Sequence, residues 1–328
     1  MSAKVNRRSF IGLSAGATAM VGLGFETGGL LVQGAESQFR TKLKKAVIVE
    51  KPTEADFQKL KAAGFDGVEA YPQPEAEAEK CRETAERLGM RVHSVLRGWA
   101  EFNSRDTARA EASFRMTEDA LKAARAYGAD AVLLVPCRIG GMRIPRPWEF
   151  QIEFDDKTGH LTRVVYGDNT SYQEYIDAHN HAIDSSREAI NRLIPLAEKC
   201  GVVIALENVW NNLWVRPAVF RHFVASFKSR WVKAYFDIGN HVKYERPEEW
   251  ILSLGDLLVK CHVKDFKLNQ SDPKGEGEFV NIRDGSVRWP VVRAALEVVG
   301  YNGWMTIEGG NLGLEEHSRR LDAIIAGV

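Results

Sequence analysis

The chain has 328 residues, 45% hydrophobic and 27% charged, a balance that excludes a disordered or fibrous chain and supplies one large core or two modest ones. Its 44 Lys and Arg offset 44 Asp and Glu, so no overall field draws it to nucleic acid or to an acidic membrane. Four cysteines, Cys81, Cys137, Cys200 and Cys261, are widely spaced with no CxxC pair, which reads as small core residues rather than a disulfide framework or a zinc site.

The first segment reads as a leader. Asn6-Arg7-Arg8-Ser9-Phe10 precedes a weakly apolar, Gly/Ala-rich run from Ile11 to Leu23, a charged region followed by a hydrophobic one. The paired arginines before Phe10 point to a twin-arginine export signal over residues 1–37 and hence to a periplasmic protein. A buried first helix is the poorer reading, because Gly12, Gly16 and Gly22 in that run and Gly24 just after it each weaken a helix by about 1 kcal/mol. The run is also too short for a stable membrane anchor.

From residue 38 onward strand and helix signals alternate. Lys44–Glu50 reads as a strand, and Thr53–Ala63 as a helix capped by Thr53 and stopped by Gly64. Phe65–Tyr71, Arg91–Arg97 and Ala131–Pro136 are the next strands, separated by helices over Glu75–Leu88 and Thr107–Tyr127. Between Cys137 and Ser171 the rhythm breaks. Alternation over Phe150–Phe154 and Leu161–Tyr166, with turn residues at 155–159, predicts a β-hairpin inserted after strand four. A helix over Tyr172–Cys200 leads to the apolar run Val202–Val209, a strand buried on both faces. Pro217 and Pro247 open the next helices, with a strand over Trp231–Asp237 between them. Leu257–Asp265 is the seventh strand, followed by a Gly- and charge-rich loop over Asn269–Arg288 and a helix opening at Pro290. Gly303–Glu308 is the eighth strand and Leu314–Ile325 the closing helix. Eight strand and helix pairs without a Pro/Ser-rich linker predict a single-domain (β/α)8 TIM barrel over 38–328, somewhat longer than the usual size of about 250 residues.

In such a barrel the active site lies at the carboxyl ends of the strands. Glu207, Asp237, His262 and Glu308 fall at those ends on strands five to eight. Three carboxylates around one point repel unless a cation neutralises them, which a divalent metal does directly. An oxygen-rich set with one nitrogen suits Mn²⁺ or Mg²⁺ better than structural zinc, although Co²⁺, Fe²⁺ or Zn²⁺ also fits such donors.

ALENVWN at 205–211, FDIGN at 236–240, HVKDF at 262–266 and TIEGG at 306–310 resemble the xylose isomerase-like TIM-barrel superfamily, in particular its sugar phosphate isomerase/epimerase branch. GFDGVEAY at 64–71, HSVL at 93–96 and VRWPVVRAAL at 287–296 extend the resemblance. It implies one divalent ion, usually manganese, held by Glu207, Asp237, His262 and Glu308, and a small sugar as substrate. It also implies that Glu207 and Glu308 work as the proton-transfer pair on either side of a carbon next to a carbonyl, through an enediolate. One position departs from the ketose epimerase pattern: the His expected three residues after the aspartate is Asn240 here, with His241 next to it. Asn240 can hydrogen-bond a substrate hydroxyl and cannot carry charge.

Further candidates for substrate binding are Glu69 and His93 at the ends of strands two and three, Lys264, which shares a strand face with His262, and Trp99 and Trp210 after strand ends. Trp214 and the insertion arginines Arg138, Arg143 and Arg146 are weaker ones. Two alternatives to isomerisation or epimerisation stand beside it: a metal-dependent lyase that eliminates from 3-keto sugars or glycosides, and a non-catalytic sugar-binding barrel. A DNA-repair relative fits poorly, because strand four ends in Pro136-Cys137 and the seventh strand offers Lys264-Asp265 in place of further histidines. The oligomeric state is open, a homo-oligomer included.

Overall fold

In the computed structural model, which describes residues 39–269, 271–272 and 276–328, eight parallel strands close into a barrel. They are β1 (Leu43–Val49), β2 (Gly67–Ala70), β3 (Arg91–Trp99), β4 (Ala131–Val135), β5 (Val203–Glu207), β6 (Val232–Asp237), β7 (Leu258–Val263) and β8 (Gly303–Ile307). Each pairs with its neighbours in sequence, and β1 pairs with β8 to complete the ring. The helices between and after them are α1 (Glu54–Ala62), α2 (Glu75–Arg87), α3 (Thr107–Tyr127), α4 (Gln173–Cys200), α5 (Pro217–Ser226), α6 (Pro247–Leu254), α7 (Trp289–Val298) and α8 (Leu314–Ala326). Residues 1–37, expected from the sequence to be a leader, lie outside the described residues. Among those residues no helix is long and apolar enough to cross a membrane.

Local chemistry sets the boundaries. Thr53 and Asp56 form a reciprocal capping box at α1, and the Asp106 carboxylate accepts the first free N–H groups of α3. Gly128 and Gly201 end α3 and α4 in the left-handed conformation that other residues adopt at a cost.

Strand alternation divides the core in two. Val132, Leu134, Ile204, Leu206, Ala234 and Phe236 face outward against the helices. Ala131, Leu133, Val135, Ala205 and Tyr235 face the lumen. The same period of two turns Glu207, Asp237, His262 and the residues in line with them inward. Burying each large aliphatic or aromatic side chain contributes about 1.5–3 kcal/mol.

Two small antiparallel sheets lie outside the barrel. Glu153–Phe154 pairs with Leu161–Arg163 in the segment after β4. The other was hidden in the sequence: Asp265–Leu268 turns away from β7 and pairs with Gly277–Val280, inside what reads as a plain loop. Asp265 anchors this second hairpin, its carboxylate accepting from the backbone N–H groups of Phe266, Arg283, Gly285 and Val287 and from the Trp289 indole. A Cβ on Gly285 would stand 2.1 Å from Asp265 Oδ1, so only glycine lets the loop close on it.

Candidate metal centre

Glu207 closes β5, Asp237 closes β6, His262 is the penultimate residue of β7 and Glu308 follows β8. One donor atom from each of these four lies within 4.8 Å of the other three. Glu207, Asp237 and His262 are buried and Glu308 partly so.

Each donor is aimed by its neighbours. Asp237 Oδ1 accepts the backbone N–H groups of Gly239 at 2.8 Å and Asn240 at 2.6 Å, an Asx-type turn written in the sequence as Asp-Ile-Gly-Asn. That leaves Asp237 Oδ2 buried with no hydrogen-bond donor, 3.7 Å from Lys264 Nζ. His262 Nε2 lies 2.5 Å from Glu69 Oε2, and Ser94 Oγ donates to the other oxygen of Glu69 at 2.7 Å. With Nε2 engaged, His262 turns Nδ1 to the cluster, 3.4 Å from Glu207 Oε1 and 2.9 Å from Glu308 Oε2. The Glu308 oxygen is close but not aligned to accept a hydrogen bond from the ring. Lys264 Nζ holds the other oxygen, Glu308 Oε1, at 2.9 Å.

Burial and mutual repulsion act on the four together. Burial pushes the Asp237 carboxyl up to about 8, with Glu308 and Glu207 adding to it against Lys264. Burial also raises Glu207, with Glu308 adding and His262 opposing. Burial by itself would lower His262, but Glu69, Glu308 and Glu207 raise it well above its usual range. Glu308 goes the other way: His262 and Lys264 outweigh its burial and hold it well below the usual carboxylate range. Three converging carboxylates, an imidazole nitrogen turned toward them and a bare Asp237 oxygen fit a divalent cation by charge and by donor type. Glu69 behind His262 is the carboxylate–histidine support that metal-ligating imidazoles use.

The remaining candidates are sorted by their contacts. Glu69 is fully buried and belongs under His262 rather than in a substrate pocket. His93 is the third of nine residues in β3, not at its end, and accepts or donates at 2.9 Å to Thr306 Oγ1 while stacking on Trp304. It sits inside the lumen, away from the rim, because β3 runs on to Trp99. Asn240 is buried, with its amide at 3.2 Å from Asn208 O and 3.3 Å from Lys264 Nζ. Lys264 meets carboxylates, as described. Trp210 donates its indole N–H to Asn240 O, and Lys243 Nζ stands 3.4 Å from its ring centre. Trp99 is 45% exposed under Arg138, whereas Trp214 is fully buried against Phe220 and Phe223. Arg143 and Arg146 likewise lie over Tyr172 and Trp148. His241 is a core residue, buried against Trp250 with Nδ1 3.2 Å from Asn208 Nδ2.

Asn208 carries more than its place after Glu207 suggests. Its Oδ1 accepts the Asp237 N–H at 2.6 Å and its Nδ2 donates to Asp237 O at 2.9 Å, so one buried amide ties the end of β5 to the end of β6. Its sequence signal, a polar residue one step past a buried strand, was visible and is common to many loops.

A closed (β/α)8 barrel with an acid-rich, histidine-bearing cluster at the carboxyl ends of β5–β8 defines the class. A profile of the xylose isomerase-like TIM barrel family matches residues 57–324, and the chain belongs to that family. It is 26% identical over 134 residues to an uncharacterized protein of Methanocaldococcus jannaschii, a match that takes in 40% of this chain and 44% of that relative. Among solved structures it is similar to a D-tagatose 3-epimerase-like protein (TM-score 0.65, 17% identity, 86% of this chain and 98% of that one). It is also similar to the 3-keto-D-glucoside 4-epimerase YcjR of E. coli (TM-score 0.64, 14% identity, 86% and 99%). A third is the D-psicose 3-epimerase of Clostridium cellulolyticum H10 (TM-score 0.59, 18% identity, 86% and 96%). At these identities the likeness is one of fold.

Proposed function

We propose that this chain is a divalent-metal-dependent isomerase or epimerase of a sugar or sugar derivative, with Glu207, Asp237, His262 and Glu308 holding the ion, Mn²⁺ by donor preference. The observation that carries the reading is the convergence of those four donors around the bare Asp237 Oδ2. The names of the similar structures, sugar epimerases among them, support it. When bound, such an ion polarises the oxygens flanking a carbon and so acidifies its C–H.

The chain's own residues divide the proton work. Glu207, whose proton affinity burial raises, takes the proton from carbon as the C–H pair moves toward the carbonyl oxygen and an enediolate forms. Glu308 returns a proton, taken up from solvent, to the opposite face, and Lys264 Nζ, 2.9 Å from Glu308 Oε1, stays protonated and holds that carboxyl in place. Afterwards Glu207 releases its proton to solvent and Glu308 takes one up, so the pair is reset with no net change in protons. Glu69 keeps His262 Nδ1 aimed at the cluster.

The test is deuterium uptake. The Mn²⁺-loaded protein, incubated in D₂O with a panel of ketoses and keto sugars, labels the carbon next to the carbonyl in at least one of them. Uptake from none, or uptake that survives Glu207→Gln, overturns the reading.

Export belongs to the same proposal. Residues 1–37, with Arg7-Arg8 before Phe10, act as a twin-arginine leader, 38–328 form the mature barrel, and the enzyme works in the periplasm on a free sugar. Expressed in a bacterium with that route, the full chain fractionates with the periplasm and the Arg7→Lys/Arg8→Lys variant does not; equal partition of the two removes this part of the reading.

A further inference from the structure

A cavity of about 690 Å³ opens beside the candidate metal centre, bordered by Lys264, Glu308 and Gly309 on one side and by Lys267, Glu278 and Phe279 of the second hairpin on the other. Pockets of roughly 300–1,000 Å³ enclose drug-sized ligands, which are larger than a free hexose. The space therefore exceeds what the reacting sugar fills.

Its lining says what the extra group is. Lys264 is paired with Glu308, Lys267 stands opposite Glu278 in the hairpin register, and Asp284 is bonded to Arg320. Among the described residues of the lining no surplus of positive charge is left to grip a phosphate or a carboxylate. Phe279 instead offers an aromatic surface. Its ring packs 5.1 Å edge-on against Phe266 and 5.1 Å from Trp210, yet the residue stays 45% exposed. Lys264 Nζ also stands over the ring, 5.0 Å from its centre, and the exposed part that remains suits stacking on an aryl group or on the C–H face of a second sugar ring. The hairpin that carries it is pinned to the barrel by Asp265, so the surface is preorganised.

We propose that this cavity is a subsite for an uncharged aglycone, and that the substrate is a glycoside bearing a ketone on its ring. This rests on the proton-transfer reading above. The ring ketone follows from chemistry: in a glycoside the anomeric carbon is an acetal and holds no carbonyl, so the carbonyl that acidifies a neighbouring C–H is elsewhere on the ring. A reaction that oxidises a secondary ring hydroxyl of the glycoside must therefore supply this substrate.

The experiment compares methyl and phenyl 3-ketoglucopyranosides, both anomers of each, and D-fructose with the Mn²⁺-loaded full chain. Turnover is read as deuterium uptake or alcohol release. The better phenyl anomer is expected to exceed its methyl counterpart by about tenfold in kcat/KM, and Phe279→Ala to shrink that ratio to about twofold. Phe279→Trp restores it. The ratio is its own control, because a damaged fold lowers both substrates alike. Equal phenyl and methyl values with active enzyme, a ratio insensitive to residue 279, or D-fructose as the best substrate overturns the subsite while the proton-transfer reading stands. Binding of phenyl β-D-glucopyranoside, followed by saturation-transfer NMR, separates the opposite failure. Phenyl contacts that vanish in Phe279→Ala with no turnover of any probe keep the cavity assignment and sink the chemistry; absence of phenyl contacts sinks the assignment.

Discussion

The two halves of the barrel do different work. Strands β5–β8 carry Glu207, Asp237, His262 and Glu308 at or beside their carboxyl ends, where the four converge as a group able to hold an ion. Strands β1–β4 end in apolar or aromatic residues, Val49, Ala70, Trp99 and Val135, and β2 and β3 hold the buried Glu69 and His93 before those ends. Glu69 reaches across from β2 to His262, and His93 reaches from β3 to Thr306 on β8. One half therefore presents charge and the other holds it in place. The lesson is that a buried polar residue opposite a site acts through the partner it bonds, and its position along its own strand tells which.

Breaking the presenting half has the largest effect. Glu207→Gln keeps the side-chain shape and removes the base, so kcat for the proton transfer is expected to fall by about 10³-fold or more. Deuterium-uptake rates check it. Asp237→Asn is expected to act mainly on metal retention, since its Oδ2 is the bare donor, and metal content after dialysis reads that separately. A Glu207→Gln protein with full activity would move the proton transfer to another residue.

The holding half gives the next effect. Glu69→Gln leaves all four donors in place and weakens the support behind His262, so metal affinity is expected to drop by about 10–100-fold. Competition with a chelator measures it. A Glu69→Gln protein that binds Mn²⁺ as tightly as the wild type would reduce Glu69 to packing, and the contrast between the two halves would go with it.

The presenting half was legible in the sequence because one rule finds it: an apolar run turns polar where a strand stops, four times in succession. The period of two then predicts that Glu207, Asp237 and His262 share the lumen side, and alternation along β5 and β6 shows it. The holding half obeys no such local rule. Glu69 and His262 are 193 residues apart, and nothing near either announces the other. His93 is the third residue of β3 and lies well before its carboxyl end, even for a strand that stops at Arg97. The register with β4 breaks between Leu96 and Gly98, and the strand continues to Trp99. The second hairpin was missed for a related reason: Asp265 looked like the last residue of strand seven, and its partner strand Gly277–Val280 is four residues inside a glycine-rich stretch. Asn240, expected from the sequence to meet substrate, is a buried amide held by Asn208 and placed beside Lys264.

The smallest effect tests the holding half through pH. His93 is buried beside Trp304, and burial, with Lys260 and His262 adding to it, holds its imidazole well below the ordinary value of about 6.5. The unfolded chain therefore takes up a proton at this position as pH falls below about 6.5 while the folded chain does not. The stability His93 confers is complete above that pH and drains away below it, by up to about 1.4 kcal/mol for each pH unit until the folded-state value is reached. Other groups titrate in the same range, the raised Asp237 carboxyl among them, with the opposite sign. The measurement is accordingly a difference: urea unfolding of wild type and His93→Gln at pH 7.5, 6.5 and 5.5. The wild type's advantage is expected to hold between the first two and to shrink between the last two. An advantage that is constant across all three would mean that His93 takes up its proton over the same pH range folded as unfolded, so that burial beside Trp304 does not hold the imidazole neutral.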